Sequence, residues 1–216
     1  MARMLIVAVL ALASTLFAPG LVRSQGSGEQ PLPSLMEEEK EIALALSAAP
    51  AHVSRDATVL VLRRGGYVRA REGTNGFTCM VDRQLVQAIE PICHNSESSK
   101  TVMQLFLRRA ELREQGLSRE GIDRTIDAAY AGGDLRLPEK LAFAYMLSAG
   151  QDIYADDGRH LAQYRPHIMI WTPFLTRDEI GGRRDPESAR ERDPYVFRAG
   201  QRDASLNVIV PDFIDC

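Results

Sequence analysis

The chain has 216 residues and a formal net charge of −3, with 45% apolar and 6% aromatic residues. This balance is typical of a globular protein and excludes collagen-like, low-complexity and fully disordered chains. The 26 basic and 29 acidic residues also argue against a nucleic-acid-binding protein, in which a basic face is expected. Three cysteines are too few for a small disulfide-dense scaffold.

The first 24 residues are typical of a secretory signal peptide. Arg3 supplies a positive charge, residues 4–17 form an uncharged apolar run, and small residues precede a cleavage point after Ser24. The alternative, a membrane anchor, needs roughly 20 apolar residues, and Pro19 follows the run too early. We therefore expect a periplasmic or secreted protein that has no membrane span once the leader is removed.

The remaining chain is predicted to form one domain. Residues 25–33 are rich in Gly, Ser and Pro and are interpreted as a flexible lead-in to a single domain over residues 34–216. A capping box formed by Ser34 and Glu37 predicts a helix over residues 35–47. Apolar residues at helical spacing predict two further helices, over residues 96–116 and 118–133.

A β-rich segment follows the first predicted helix. Residues 57–64 and 67–71 flank two glycines, which predicts a β-hairpin. A second turn leads into residues 77–81, so we expect a three-stranded meander over residues 57–81. Residues 82–95 contain a proline and polar residues and are interpreted as a loop that returns toward the meander.

The C-terminal half alternates apolar runs with polar segments. Residues 141–148 are compatible with a strand or a helix, and we favour a strand that pairs with residues 167–172. Polar loops are predicted between and after them, over residues 150–166 and 175–194, and short closing strands over residues 195–198 and 206–210. The sum is an α+β fold, an antiparallel sheet (hairpin or meander plus C-terminal strands) with three helices packed on one face.

Export changes the interpretation of the cysteines. In an oxidising compartment Cys79 and Cys93 are a plausible disulfide that closes a loop of about 15 residues, and Cys216 is left over. Their spacing matches no CxxC redox or zinc pattern.

The most polar stretch, residues 150–171, holds the candidate site residues. His167, Tyr164 and Asp157 are the candidates for catalysis, because a histidine beside a carboxylate can act as acid or base near neutral pH. His160, His167 and Asp157 are the candidates for binding zinc or another divalent metal ion. The two histidines are seven residues apart and match no metal motif. The alternative is a polar surface loop in which His167 merely begins a strand, and no cofactor is then expected.

Familiar catalytic signatures are missing from the sequence, which has no G-x-S-x-G elbow, no P-loop and no G-x-G-x-x-G after a strand. This favours a non-catalytic exported protein that binds a partner protein or a small ligand in the cell envelope. The alternative is a metal- or histidine-dependent hydrolase that uses residues 152–167.

Four segments, ATVLVLRRGGY, EGTNGFTCMV, PICHN and RPHIMIW, together resemble an uncharacterised family of small secreted bacterial proteins. The resemblance covers residues 41–173. It supports export and the treatment of these segments as one unit, and it implies no activity, cofactor or catalytic residue.

Overall fold

A computed structural model describes residues 32–83, 88–154, 159–182 and 193–214. The helices of these residues are α1 (Glu38–Leu46), α2 (Ala51–Ser54), α3 (Ser96–Lys100), α4 (Val102–Glu114) and α5 (Arg119–Gly132), with a 3₁₀ turn at Asp178–Ile180. The strands are β1 (Thr58–Arg63), β2 (Gly66–Arg71), β3 (Thr78–Asp82), β4 (Ala88–His94), β5 (Ala142–Met146), β6 (Asp152–Tyr154), β7 (His160–Gln163), β8 (His167–Trp171), β9 (Tyr195–Phe197) and β10 (Ser205–Ile209). The predicted α+β class is confirmed.

One sheet organises these strands. Eight of them follow the order β2-β1-β3-β4-β5-β8-β10-β9, and the β6–β7 hairpin is attached to the start of β4. All pairs are antiparallel except β1 with β3. The predicted pairing of β5 with β8 and the two closing strands are confirmed.

The predicted hairpin of β1 and β2 is confirmed, but the meander is wrong, because β3 pairs with β1 in parallel. The turn after β2 crosses the start of β1, where the Thr74 amide donates to Asp56 O at 2.8 Å. A Cβ at Gly73 would lie 2.1 Å from Thr58 N, so only glycine allows this crossing. β3 therefore reaches the free edge of β1, where all five of its residues are buried.

β4 is a strand that the sequence analysis interpreted as a loop. Its first residues, Ala88 and Ile89, pair with β6, and its last, Cys93 and His94, pair with β5. Pro91 lies in the gap between these two partners, where no strand neighbour requires a backbone donor on that edge. The proline therefore marks a change of partner within the strand.

The helices cover both faces of the sheet, so the prediction of three helices on one face is wrong. Residues of α1 and α2 pack with alternate strand residues such as Val59, Cys79 and Cys93. Residues of α4 and α5 pack with the intervening ones, such as Met80 and Ile92. Because β1 and β3 are apolar at consecutive positions, each of their faces requires a cover.

Helix starts follow the local capping chemistry. α1 is capped by Glu37, whose carboxylate accepts from the amides of Glu39 and Lys40, so the capping box at Ser34 is not formed. The predicted helix over residues 96–116 is divided at Thr101, while α5 keeps its predicted cap at Ser118.

The predicted loop over residues 150–166 contains the β6–β7 hairpin.

The predicted Cys79–Cys93 disulfide is present. The two residues are direct partners on β3 and β4, and both are fully buried beneath α1. No helix of the described residues has the length and apolarity to cross a membrane. The predicted signal peptide, most of the lead-in, residues 183–192 of the predicted second loop, and Cys216 lie outside the described residues.

Replacing both bridged cysteines (Cys79→Ala with Cys93→Ala) is expected to lower the free energy of unfolding by about 3 kcal/mol, because the unfolded chain is no longer cross-linked. Urea denaturation measures this difference, and a reductant should destabilise the parent protein but not the variant. Thiol counting on unfolded, unreduced protein should find one thiol per chain, and three would contradict the bridge.

Candidate functional site

A cavity of about 840 Å³ lies between the sheet and the pair α4–α5. Its floor is the sheet face that carries Ile92, Met146, Met169 and Trp171, which stand on β4, β5 and β8. Its roof is formed by apolar residues that α4 and α5 direct toward the sheet: Leu105, Phe106, Ile122 and Ile126. This volume is within the range of sites that enclose small organic ligands.

The cavity follows the strand direction. His167, Met169 and Trp171 are alternate residues of β8 and therefore share one face of the sheet. At about 3.3 Å per residue they extend over roughly 13 Å. The cavity thus has two ends, one near His167 and one near Trp171, and the two ends carry different residues.

A polar cluster occupies the end near His167. Asp82 and Glu90 are direct partners on β3 and β4, so their side chains project from the same face. The hydroxyl of Tyr164, which precedes β8, donates a hydrogen bond to the Glu90 carboxyl. Tyr195 on β9 accepts a hydrogen bond at its hydroxyl from Asn207 Nδ2 at 3.0 Å. The side chains that meet here therefore come from several separate segments.

The environment of Glu90 favours its protonated form. Desolvation in the cavity, followed by the negative charge of Asp82, raises the pKa of Glu90 to about 8, while Tyr164 and Arg83 oppose the shift. Glu90 therefore carries a proton at neutral pH, and its hydroxyl can donate a hydrogen bond. Burial, with the nearby charge of Glu90, raises the pKa of Tyr164, so its phenol also stays neutral.

Ion pairs line the roof and the other end of the cavity. Asp203 accepts from Arg198 Nε at 2.8 Å and lies 3.9 Å from Arg109 Nη1. Arg202 is paired with Asp127. Phe174 and Phe197 also line this end and are 56% and 49% exposed, so they form an apolar rim at the cavity mouth.

Two of the sequence-predicted candidates, Tyr164 and His167, line the cavity. His167 is 4% exposed, and its Nδ1 donates to Arg165 O at 2.7 Å, which fixes the tautomer and leaves Nε2 as an acceptor. Burial lowers the pKa of His167, so the ring is neutral near pH 7.

A third candidate, His160, does not line the cavity. His160 is exposed on the β6–β7 hairpin, where its Nε2 lies 2.7 Å from Asp152 Oδ1. Asp157 lies outside the described residues. In the described part of the chain no three histidine, cysteine or acidic side chains form a group that could hold a metal ion.

Asp82, Glu90, Tyr195 and Asn207 line the cavity and were not predicted from the sequence. A usable signal was present at Glu90, since a lone acid between the apolar residues of AIEPIC is unusual in a buried strand. Pro91 favoured a loop at this position, so Glu90 was not recognised as a buried strand residue. Tyr195 and Asn207 carry no local pattern, because their role depends on the pairing of β9 with β10.

No family model, curated protein or solved structure matches this chain.

The raised pKa of Glu90 predicts a pH-dependent stability. Between about pH 5 and pH 8 the folded state holds a proton on Glu90 that the unfolded chain has lost, so this group makes the free energy of unfolding fall as pH rises. Glu90→Gln should remove this contribution and gain stability relative to the parent by about 1 kcal/mol per pH unit across the window.

Urea denaturation from pH 5 to pH 8 measures the difference between the two proteins. The exposed Glu139→Gln is the matched control and should parallel the parent at every pH. Parallel pH profiles of the parent and Glu90→Gln would contradict the assignment.

Proposed function

We propose that this protein is an exported, non-catalytic binding protein that holds a small organic molecule in the cavity between the sheet and α4–α5. The observation that carries the proposal is the cavity itself, which combines an apolar floor with polar groups at both of its ends. This combination is characteristic of small-molecule sites, in which apolar walls supply affinity and a few polar groups fix orientation.

The apolar floor and the polar end of the cavity contact different parts of the ligand. Met146, Met169 and Trp171 are the surfaces against which an apolar or planar body packs. Glu90 and Tyr164 are the groups that bind a polar head. The exposed Phe174 and Phe197 cover whatever part of the ligand reaches the mouth.

Two features support export of this binding protein. The first 24 residues have the pattern of a secretory signal. The Cys79–Cys93 disulfide is compatible with an oxidising compartment. The ligand is accordingly a small molecule of the cell envelope or its surroundings.

The single tryptophan of the chain makes binding directly observable, because Trp171 lies on the cavity floor. The neutral fluorophore N-phenyl-1-naphthylamine should bind saturably with one site per chain and reduce the emission of Trp171. Ile126→Phe, which adds bulk to the roof, should weaken this binding several-fold.

The matched control is Leu141→Ser, which removes an apolar side chain that is 63% exposed and does not line the cavity. This variant should bind the fluorophore as the parent does. Loss of binding in Leu141→Ser with retention in Ile126→Phe would place the probe on the surface and contradict the proposal.

A histidine-dependent hydrolase is the second candidate, favoured by the presence of both His167 and Tyr164 in the cavity. In this reaction His167 Nε2 takes a proton from the water that attacks an ester carbonyl. The same proton then leaves with the departing alcohol, so that acid and alcohol are the products.

The hydrolase alternative predicts turnover of 4-nitrophenyl butyrate that is lost in His167→Gln. The control His160→Gln should retain it, because His160 lies on the β6–β7 hairpin and does not line the cavity. Equal rates for the parent and His167→Gln would contradict this candidate.

A further inference from the structure

The acidic side chains that line the cavity differ in their partners. Asp203 has Arg198 and Arg109 as partners, and Asp127 has Arg202. In contrast, the hydrogen bond that the Glu90 carboxyl receives comes from a neutral phenol, Tyr164. A positive charge placed beside Glu90 would favour its ionised form and would pair with it.

The groups that face Glu90 come from three directions in the fold. They are Asp82 and Arg83 at the end of β3, Tyr164 before β8, and Tyr195 on β9. The side chain of Arg113 on α4 interacts with Asp82, and its Nη1 donates to Arg83 O at 2.7 Å. The net result is a carboxyl beside a second acid and two neutral phenols, while Arg83 opposes the raised pKa of Glu90.

His167 provides an independent indication of what the ligand donates. Its Nδ1 donates a hydrogen bond to Arg165 O, and no hydrogen-bond partner for Nε2 is found among the described residues. The residue is 4% exposed and lines the cavity, so an N–H donor of a ligand inside the cavity can reach this acceptor. A ligand that brings several N–H donors satisfies both Nε2 and the Glu90 carboxylate.

Apolar and aromatic side chains lie between these polar groups and the mouth, beside the ion pairs of the roof. Trp171 and Phe106 stand edge to face with ring centroids 6.2 Å apart, and both line the cavity. Tyrosine rings at the polar end add faces that attract a cation. The cavity thus offers acceptors at one end and about 13 Å of apolar floor beyond them.

We infer that the ligand is an amphipathic amine, whose ammonium group binds at Glu90 and His167 and whose apolar or aromatic body lies along Met169 and Trp171. This inference rests on the proposed binding function. It names a class of ligand, the basic amines with an apolar body.

Binding of such a ligand is coupled to a proton. A free amine with an ordinary pKa near 10 enters as its ammonium ion, whereas Glu90 is protonated at neutral pH. The complex pairs the ammonium with the Glu90 carboxylate, so the proton of Glu90 passes to solvent. One proton is released per ligand bound below about pH 8, and none is released above it.

A matched pair of ligands tests the inference. The emission of Trp171 is followed during titration with 4-phenylbutylamine and with 4-phenyl-1-butanol, which has a similar size and no charge. The amine should bind at least tenfold more tightly at pH 8, and its Kd should fall by up to about tenfold per pH unit between pH 6 and pH 8. The Kd of the alcohol should not fall with pH.

Two variants locate the effect. Glu90→Gln should abolish both the preference for the amine and its pH dependence while it still binds the alcohol. Asp127→Asn, at the mouth of the cavity, should retain the preference of the parent.

Equal affinities for amine and alcohol, or an unchanged preference in Glu90→Gln, would overturn the inference and leave the proposed binding function intact. Failure of both ligands and of N-phenyl-1-naphthylamine to change the emission of Trp171 would overturn the proposed function itself, and the inference with it.

Discussion

The packing of one buried imidazole joins the helices to the sheet, and the cavity depends on this junction. His94 on β4 is fully buried, with its Nδ1 2.8 Å from Ser98 Oγ on α3. Its ring stacks on Trp171 with centroids 5.4 Å apart and meets Phe106 of α4 edge to face. Burial lowers the pKa of His94 to about 3, so the ring packs as a neutral aromatic residue. Because Phe106 and Trp171 also line the cavity, this contact sets the position of roof and floor together.

At the far end of α4, Arg113 donates a hydrogen bond to the carbonyl of Arg83, which connects the helix to the sheet. Between this hydrogen bond and the packing of His94 against Phe106, the helices leave space above the sheet. Glu90 projects into this space from the point where the edge of β4 changes its partner from β6 to β5. A carboxyl in such a place destabilises the fold, and costs of this kind are concentrated at functional sites. The fold therefore explains both the cavity and the unusual proton at its end.

Some of this architecture could be read from the sequence because it depends on neighbours along the chain. The cap of α5 at Ser118, the β1–β2 hairpin and the pairing of β5 with β8 follow from local patterns. The disulfide followed from the expected compartment together with the count and spacing of the cysteines. The position of β3 could not be predicted, because no feature of residues 72–77 indicates which edge of the hairpin pairs with the next strand. The strand β4 was missed because Pro91 is normally evidence against a central strand.

Only part of the candidate site could be predicted from the sequence. Tyr164 and His167 were selected because polar and aromatic residues accumulate around them, and the structure places both in the cavity. The predicted metal site depended on His160, whose exposed position on a hairpin follows from the pairing of β6 with β7. Asp82 and Glu90 become neighbours only through the β3–β4 register, which a loop prediction over residues 82–95 excludes.

The central claim, that a small molecule occupies the cavity, is tested most directly by NMR of methionine methyl groups. Met146 and Met169 lie on the cavity floor, while Met36 packs on the opposite face of the sheet with α1. Titration with 4-phenylbutylamine should shift the signals of Met146 and Met169 saturably and leave Met36 unchanged. A ligand-induced shift at Met36 with unmoved signals from Met146 and Met169 would contradict the account.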